Sequence, residues 1–92
     1  MEHGVIEREA RVINSLGLHA RPAAQLVKLA STFVSDVELV KEGVPVNGKS
    51  IMGVMMLAAE CGSTITVRAN GADAELAMAA IVDLIATGFG ET

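Results

Sequence analysis

Residues 64–88, TITVRANGADAELAMAAIVDLIATG, change their apolar rhythm at a single point. Up to Asn70 the side chains alternate, with Ile65, Val67 and Ala69 on one face and Thr64, Thr66 and Arg68 on the other, which is the period of a half-buried strand. Beyond Gly71 the apolar residues Leu76, Ala77, Ala80, Ile81, Leu84 and Ile85 follow the three-and-four spacing of one helix face. Asp73 stands where a cap belongs, Glu75 falls in the first turn, and Gly88 marks the stop. A strand that buries one face, followed by a helix with one apolar stripe, is the unit of a two-layer domain.

The same alternation of elements extends toward the N-terminus. Ser50 precedes IMGVMML (51–57), a short and strongly apolar helix with the serine at its N-cap. SDVELVK (35–41) predicts a strand, Gly43 a reversal, and Val44 to Val46 a short partner strand. Pro45 cannot donate to a sheet ladder, so that partner should be an edge. From Ala23 the residues Ala23, Leu26, Val27, Ala30 and Phe33 mark another helix face, and VIEREARVI (5–13) predicts a first strand with Ala10 and Val12 on one side. The order β-α-β-β-α-β-α, without repeat or linker, predicts an α+β fold in which three helices cover one face of a four-stranded sheet.

The chain has 92 residues, 51% of them apolar and 20% charged, enough for one modest core, so residues 1–92 are expected to form a single domain. Two Phe and no Trp or Tyr leave an aliphatic interior. A net charge of -4 argues against nucleic acid, whose binding rests on Lys and Arg neutralising phosphates. No apolar run is long enough to span a bilayer, and the acidic opening MEHGVIERE lacks the basic and apolar regions of a signal peptide, so a cytoplasmic protein without membrane insertion is expected. Cys61 is the single cysteine, which removes intramolecular disulfides and cysteine-cluster metal sites; its expected role is a small buried hydrophobe. His3 falls in a tail expected to fray and receives no role.

The segment GLHARPA (17–23) carries the chemistry. Pro22 suits the first turn of a helix, where its missing N–H has no intrahelical partner. The helix should therefore begin near Ala20, with His19 at the cap and Arg21 in the first turn. Cations at the positive end of a helix dipole make little sense for stability, but with the exposed amides they form an anion site. The dipole and Arg21 disfavour imidazolium and leave one ring nitrogen free as a nucleophile, and no acid is evident near the motif. Once that nitrogen bears a phosphoryl group, the same positive features stabilise the new charge. On the residues alone, phosphoryl transfer, a non-catalytic anion-binding interaction domain and a plain surface cap all remain open. Hydrolysis by a histidine phosphatase is weakened by the lack of a nearby carboxylate to serve as an acid.

GLHARPA together with KSIMGVMML (49–57), about thirty residues apart, resembles the two signature segments of the HPr family, the histidine-containing phosphocarriers of the bacterial phosphotransferase system. The resemblance covers about Ile6 to Phe89. It implies an open-faced β-sandwich of four antiparallel strands and three helices. It implies that His19 accepts a phosphoryl group on Nδ1 from phosphorylated Enzyme I and donates it to a IIA domain, with Arg21 stabilising the phosphorylated state. It further implies that Ser50 is a regulatory phosphorylation site for an HPr kinase/phosphorylase, where the residue read alone is a helix cap. The docking face it implies is built from Ala20, Arg21, Met52, Met55 and Met56, on a monomer that needs no cofactor and no metal. The absence of a Walker-type glycine loop and of an acidic metal cluster agrees with a protein donor rather than ATP.

Leu16, Met56 and Ala58 depart from the family's common residues; none touches the nucleophile, and Met56 and Ala58 bear on partner choice. LIATGFG and NSLGLHARPA resemble the nitrogen-related phosphocarriers, which regulate other proteins without moving sugar, whereas KSIMGVM resembles the sugar-system type. Lys28 and Lys49 are expected to be solvated surface residues.

Overall fold

A computed structural model describes residues 4–91; His3 lies outside them. The elements follow the predicted order: β1 (Val5–Arg11), α1 (Ala20–Ala30), β2 (Asp36–Lys41), β3 (Val44–Asn47), α2 (Ile51–Met56), β4 (Thr64–Asn70) and α3 (Ala74–Ala86), then a 3₁₀ turn at Gly88–Gly90. The four strands form one antiparallel sheet in the order β1-β4-β2-β3. β3 is an outer strand, as Pro45 requires.

Strand alternation sorts the sheet into a covered face and an open one. Val37 and Leu39 of β2 and Ile65, Val67 and Ala69 of β4 are buried, and Leu26 of α1, Val54 of α2 and Met78, Ile81 and Ile85 of α3 close over them. Each large aliphatic side chain so removed from water contributes about 1.5–3 kcal/mol. On the open face the register sets Glu7, Arg68 and Glu38 side by side across three strands. Arg68 forms an ion pair with Glu7 through Nε at 2.8 Å and donates through Nη1 to Glu38 at 2.9 Å. These partly exposed pairs contribute at most about 1 kcal/mol each and chiefly fix cross-strand alignment.

Several local expectations need correction. α1 ends at Ala30, so Phe33 packs against the core from the turn beyond the helix. Leu76 is 69% exposed and Met78 takes the core position. The buried stripe of α3 runs through Ala74, Ala77, Met78, Ile81 and Ile85, and Leu76 lies on the opposite side of that spacing. Cys61 is exposed, because it sits in the turn before β4 rather than on an element that packs on the core. Lys49 is not merely solvated: its Nζ donates to the Phe33 carbonyl at 2.9 Å and ties the α2 approach to the end of α1. Asp73 occupies the N-cap position of α3 without a side-chain cap bond; its carboxylate is spent on Val34 and Ser35.

Candidate functional site

α1 begins as GLHARPA requires. His19 is the N-cap in extended conformation, and its carbonyl accepts the first helical bond from Ala23 N–H at 3.0 Å. Ala20 and Arg21 present first-turn amides without intrahelical acceptors, and Pro22, buried, has none to present. The His19 side chain makes no cap bond, so the ring is not consumed in holding the helix end. It is 36% exposed, and Arg21 beside it is exposed and has no ion-pair partner among the described residues.

The loop that delivers His19 is held from below. Gly17 adopts a φ of +65° against the Ala59–Glu60 backbone, where a Cβ would collide with the Ala59 carbonyl oxygen. The neighbouring Leu18 N–H donates to that same carbonyl at 2.9 Å, and Leu18 itself is buried. Asn14, 2% exposed, donates through Nδ2 to the Gly17 carbonyl at 2.7 Å.

The expectation that no acid stands near the motif is overturned. Glu91 lies 72 residues away in sequence, yet both its carboxylate oxygens are 3.2 Å from His19 Nε2. Asn14 Nδ2 also donates to Glu91 Oε1, at 3.1 Å. The segment carrying Glu91 is turned back by left-handed conformations at Gly88 and Phe89, with the Phe89 ring buried as an anchor. Desolvation pushes the Glu91 carboxyl up, but hydrogen bonds from His19 and Asn14 and the electrostatic attraction of the imidazole and the Arg21 guanidinium outweigh it and hold it below the usual carboxylate value. The carboxylate faces Nε2, on the side of the ring away from Nδ1, so it is not aimed as an acid at a group carried on Nδ1. Asn14 and Glu91 were missed as site residues. Asn14 read only as a turn former, although a polar residue between the buried Val12 and Leu18 was a signal; nothing in the linear sequence links Glu91 to His19.

Beside His19 an open cleft of about 520 Å³ is lined by Ser15, Leu16 and Leu18 on one side and by residues 58–61 on the other. α2, which packs against α1, supplies an apolar surface: Met52 and Met56 are 73% and 76% exposed, Ile51 and Met55 are partly so, and only Val54 is fully buried. This decides against a fully buried helix. Ser50 caps α2 as expected, its Oγ accepting from Gly53 N–H at 3.1 Å. At the other end Lys41 Nζ donates to the Leu57 and Ala58 carbonyls, satisfying the orphan acceptors there.

Residues 6–87 match the family model PTS-HPr, described as the PTS HPr component phosphorylation site. The chain is 52% identical over 87 residues to the phosphocarrier protein HPr of Cupriavidus necator, covering 95% of this chain and 98% of that protein. It is 47% identical, with the same coverage, to the phosphocarrier protein HPr of Neisseria meningitidis serogroup A. Among solved structures, HPr-C-His from Thermoanaerobacter tengcongensis superposes with a TM-score of 0.91 at 45% identity, over 95% of this chain and 98% of that one.

Proposed function

This chain belongs to the HPr family of phosphocarriers of the phosphotransferase system, and we propose that His19 is the residue that carries its phosphoryl group, accepting it on Nδ1 from phosphorylated Enzyme I and passing it to a IIA domain. The observation that carries this reading is the arrangement at the start of α1: a part-exposed imidazole that is not used as a cap, beside first-turn amides and a guanidinium without an ion-pair partner among the described residues. In transfer the Nδ1 lone pair forms the N–P bond as the phosphorus leaves the donor atom, which keeps the electron pair of the broken bond. Arg21 and the first-turn amides stabilise the charge on the phosphoryl oxygens, in the transition state and afterwards.

Donor and acceptor dock in turn on one surface made of Ala20, Arg21, Met52, Met55 and Met56. Methionine suits that task, since its flexible thioether adapts to partners of different shape. Regulation by an HPr kinase/phosphorylase acts at Ser50, whose modification would add negative charge beside the exposed methionines while remaining favourable at a helix N-terminus. The protein works as a cytoplasmic monomer.

The test is incubation with Enzyme I and labelled phosphoenolpyruvate. Acid-labile, alkali-stable label that disappears in His19→Ala supports the carrier; a chain that takes no label is not one.

A further inference from the structure

We infer that Lys41 is a positioning residue for phosphoryl transfer at His19: from the end of β2 it holds the segment that follows α2, and that segment holds the loop ending in His19. The inference rests on the carrier reading above and adds a residue in contact with neither the imidazole nor Arg21.

The alternation of β2 sets Lys41 on the side of the sheet that carries the buried Val37 and Leu39. It is the last residue of the strand, and its part-buried side chain brings the ammonium to the C-terminal end of α2. There Nζ donates to the Leu57 carbonyl at 3.3 Å and to the Ala58 carbonyl at 3.2 Å. α2 has no basic residue in its own last turn, so β2 supplies the cation that the negative end of a helix favours. The other acceptor near Nζ, the exposed Glu42 carboxylate at 3.8 Å, binds it only weakly.

The next carbonyl along the chain is the one that carries the site. Ala58 is left-handed, with a φ of +52°, a conformation that a residue with a Cβ keeps only where its surroundings hold it. Beyond that turn the Ala59 carbonyl accepts the Leu18 N–H at 2.9 Å, and Gly17 packs against the same oxygen. Three successive carbonyls are thus engaged: those of residues 57 and 58 by Lys41, and that of residue 59 by the residue before His19. Without the ammonium, Ala58 is free to relax toward ordinary backbone angles, which turns the Ala59 carbonyl away from Leu18. Residues 58–61 also form one wall of the cleft beside His19, so the same movement reshapes the approach to the ring.

The test uses the full chain with Lys41→Met, which keeps the stem and loses the cation, and Lys41→Arg, which keeps a cation with several donors. Transfer is followed in a single turnover from labelled, phosphorylated Enzyme I to excess chain. About an ångström of misplacement costs a reacting group about a hundredfold; the smaller shift here is expected to slow the saturated rate about tenfold in Lys41→Met and at most about twofold in Lys41→Arg. Hydrogen exchange at the Leu18 amide should quicken more in Lys41→Met than exchange at the amides of the central strand β4, which follow global stability. Four results would each overturn the inference: an unchanged saturated rate, a loss seen only as a higher half-saturating concentration, a loss that Lys41→Arg shares in full, or exchange that quickens equally in β4. The second of these makes Lys41 a docking contact, and the last makes it a residue of global stability alone. A parent chain that takes no label fails the carrier reading itself, whereas a Lys41→Met chain labelled as fast as an active parent fails only the role of Lys41.

Discussion

Ser35 donates its backbone N–H to Asp73 Oδ1 at 2.9 Å while Val34 donates to Oδ2 at 3.0 Å, so one carboxylate closes the turn between α1 and β2 against the start of α3. The Ser35 hydroxyl adds a third bond to the same group. These bonds, led by that of the Ser35 side chain, hold the Asp73 carboxyl below its ordinary value of 3.8.

A carboxyl with a lowered folded value binds its proton less readily in the native state than in the unfolded one. Its stabilisation is therefore complete above the ordinary value and disappears as the pH falls through the lowered folded value. The acid limb of a thermal-stability profile, recorded below about pH 4, should be shallower in Asp73→Asn than in the parent, and the parent should be the more stable of the two at neutral pH. Parallel acid limbs would mean that other carboxyls dominate acid unfolding.

Gly17 to Ala should cost about 1–3 kcal/mol, the range for a side chain forced into a left-handed conformation against backbone. The Cβ would strike the carbonyl that anchors Leu18, so the cost should be accompanied by displacement of His19. Denaturant unfolding measures the first effect, and a shift of the His19 ring resonances the second.

Arg21→Ala is expected to slow phosphorylation of His19 by at least about tenfold, the loss of a charge-assisted contact to the phosphoryl group. Arg21 is exposed and unpaired among the described residues, so the melting temperature should hardly move. A large drop in melting temperature would place Arg21 among the structural residues.

Ser50→Ala removes the hydroxyl that accepts from Gly53 and should cost about 1 kcal/mol in denaturant unfolding. In the parent, an HPr kinase with ATP is expected to modify this residue and no other serine. Failure of that labelling would leave Ser50 with its capping role alone.

Replacing Met52 and Met56 together by Lys should leave stability within about 0.5 kcal/mol, since both side chains are largely in solvent. Binding to Enzyme I, followed by titration calorimetry, should weaken measurably. Unchanged affinity would move the docking surface away from α2.

The fold was legible wherever one face of an element is buried. The alternation from Thr64 to Asn70 and the spacing through Ala77, Ile81 and Ile85 each record a side that meets the core. Leu76 was misread because apolar residues crowd α3 all round, so composition there does not select the stripe; geometry does, and it selects Met78. Cys61 was misread because burial of a cysteine depends on the element that carries it, and Cys61 stands in a turn. At the candidate site, the helix starts that place His19, Arg21 and Ser50 were legible because Pro22 and the apolar run of α2 fix them locally. Glu91 was invisible because its place beside His19 depends on the whole path of the chain and on a turn after α3 that contains a left-handed phenylalanine.

The two outer strands of the sheet have a bearing on how this protein coexists with copies of itself. An unpaired strand edge is a template for another chain, and a strand of alternating apolar residues left bare would recruit one. β3 is only four residues long and places Pro45 among them, so its bare edge is short and interrupted. β1 is longer, but Glu7, Arg8, Glu9 and Arg11 load its exposed positions with charge. Aggregation by edge pairing is thus opposed by proline on one side and by charge on the other.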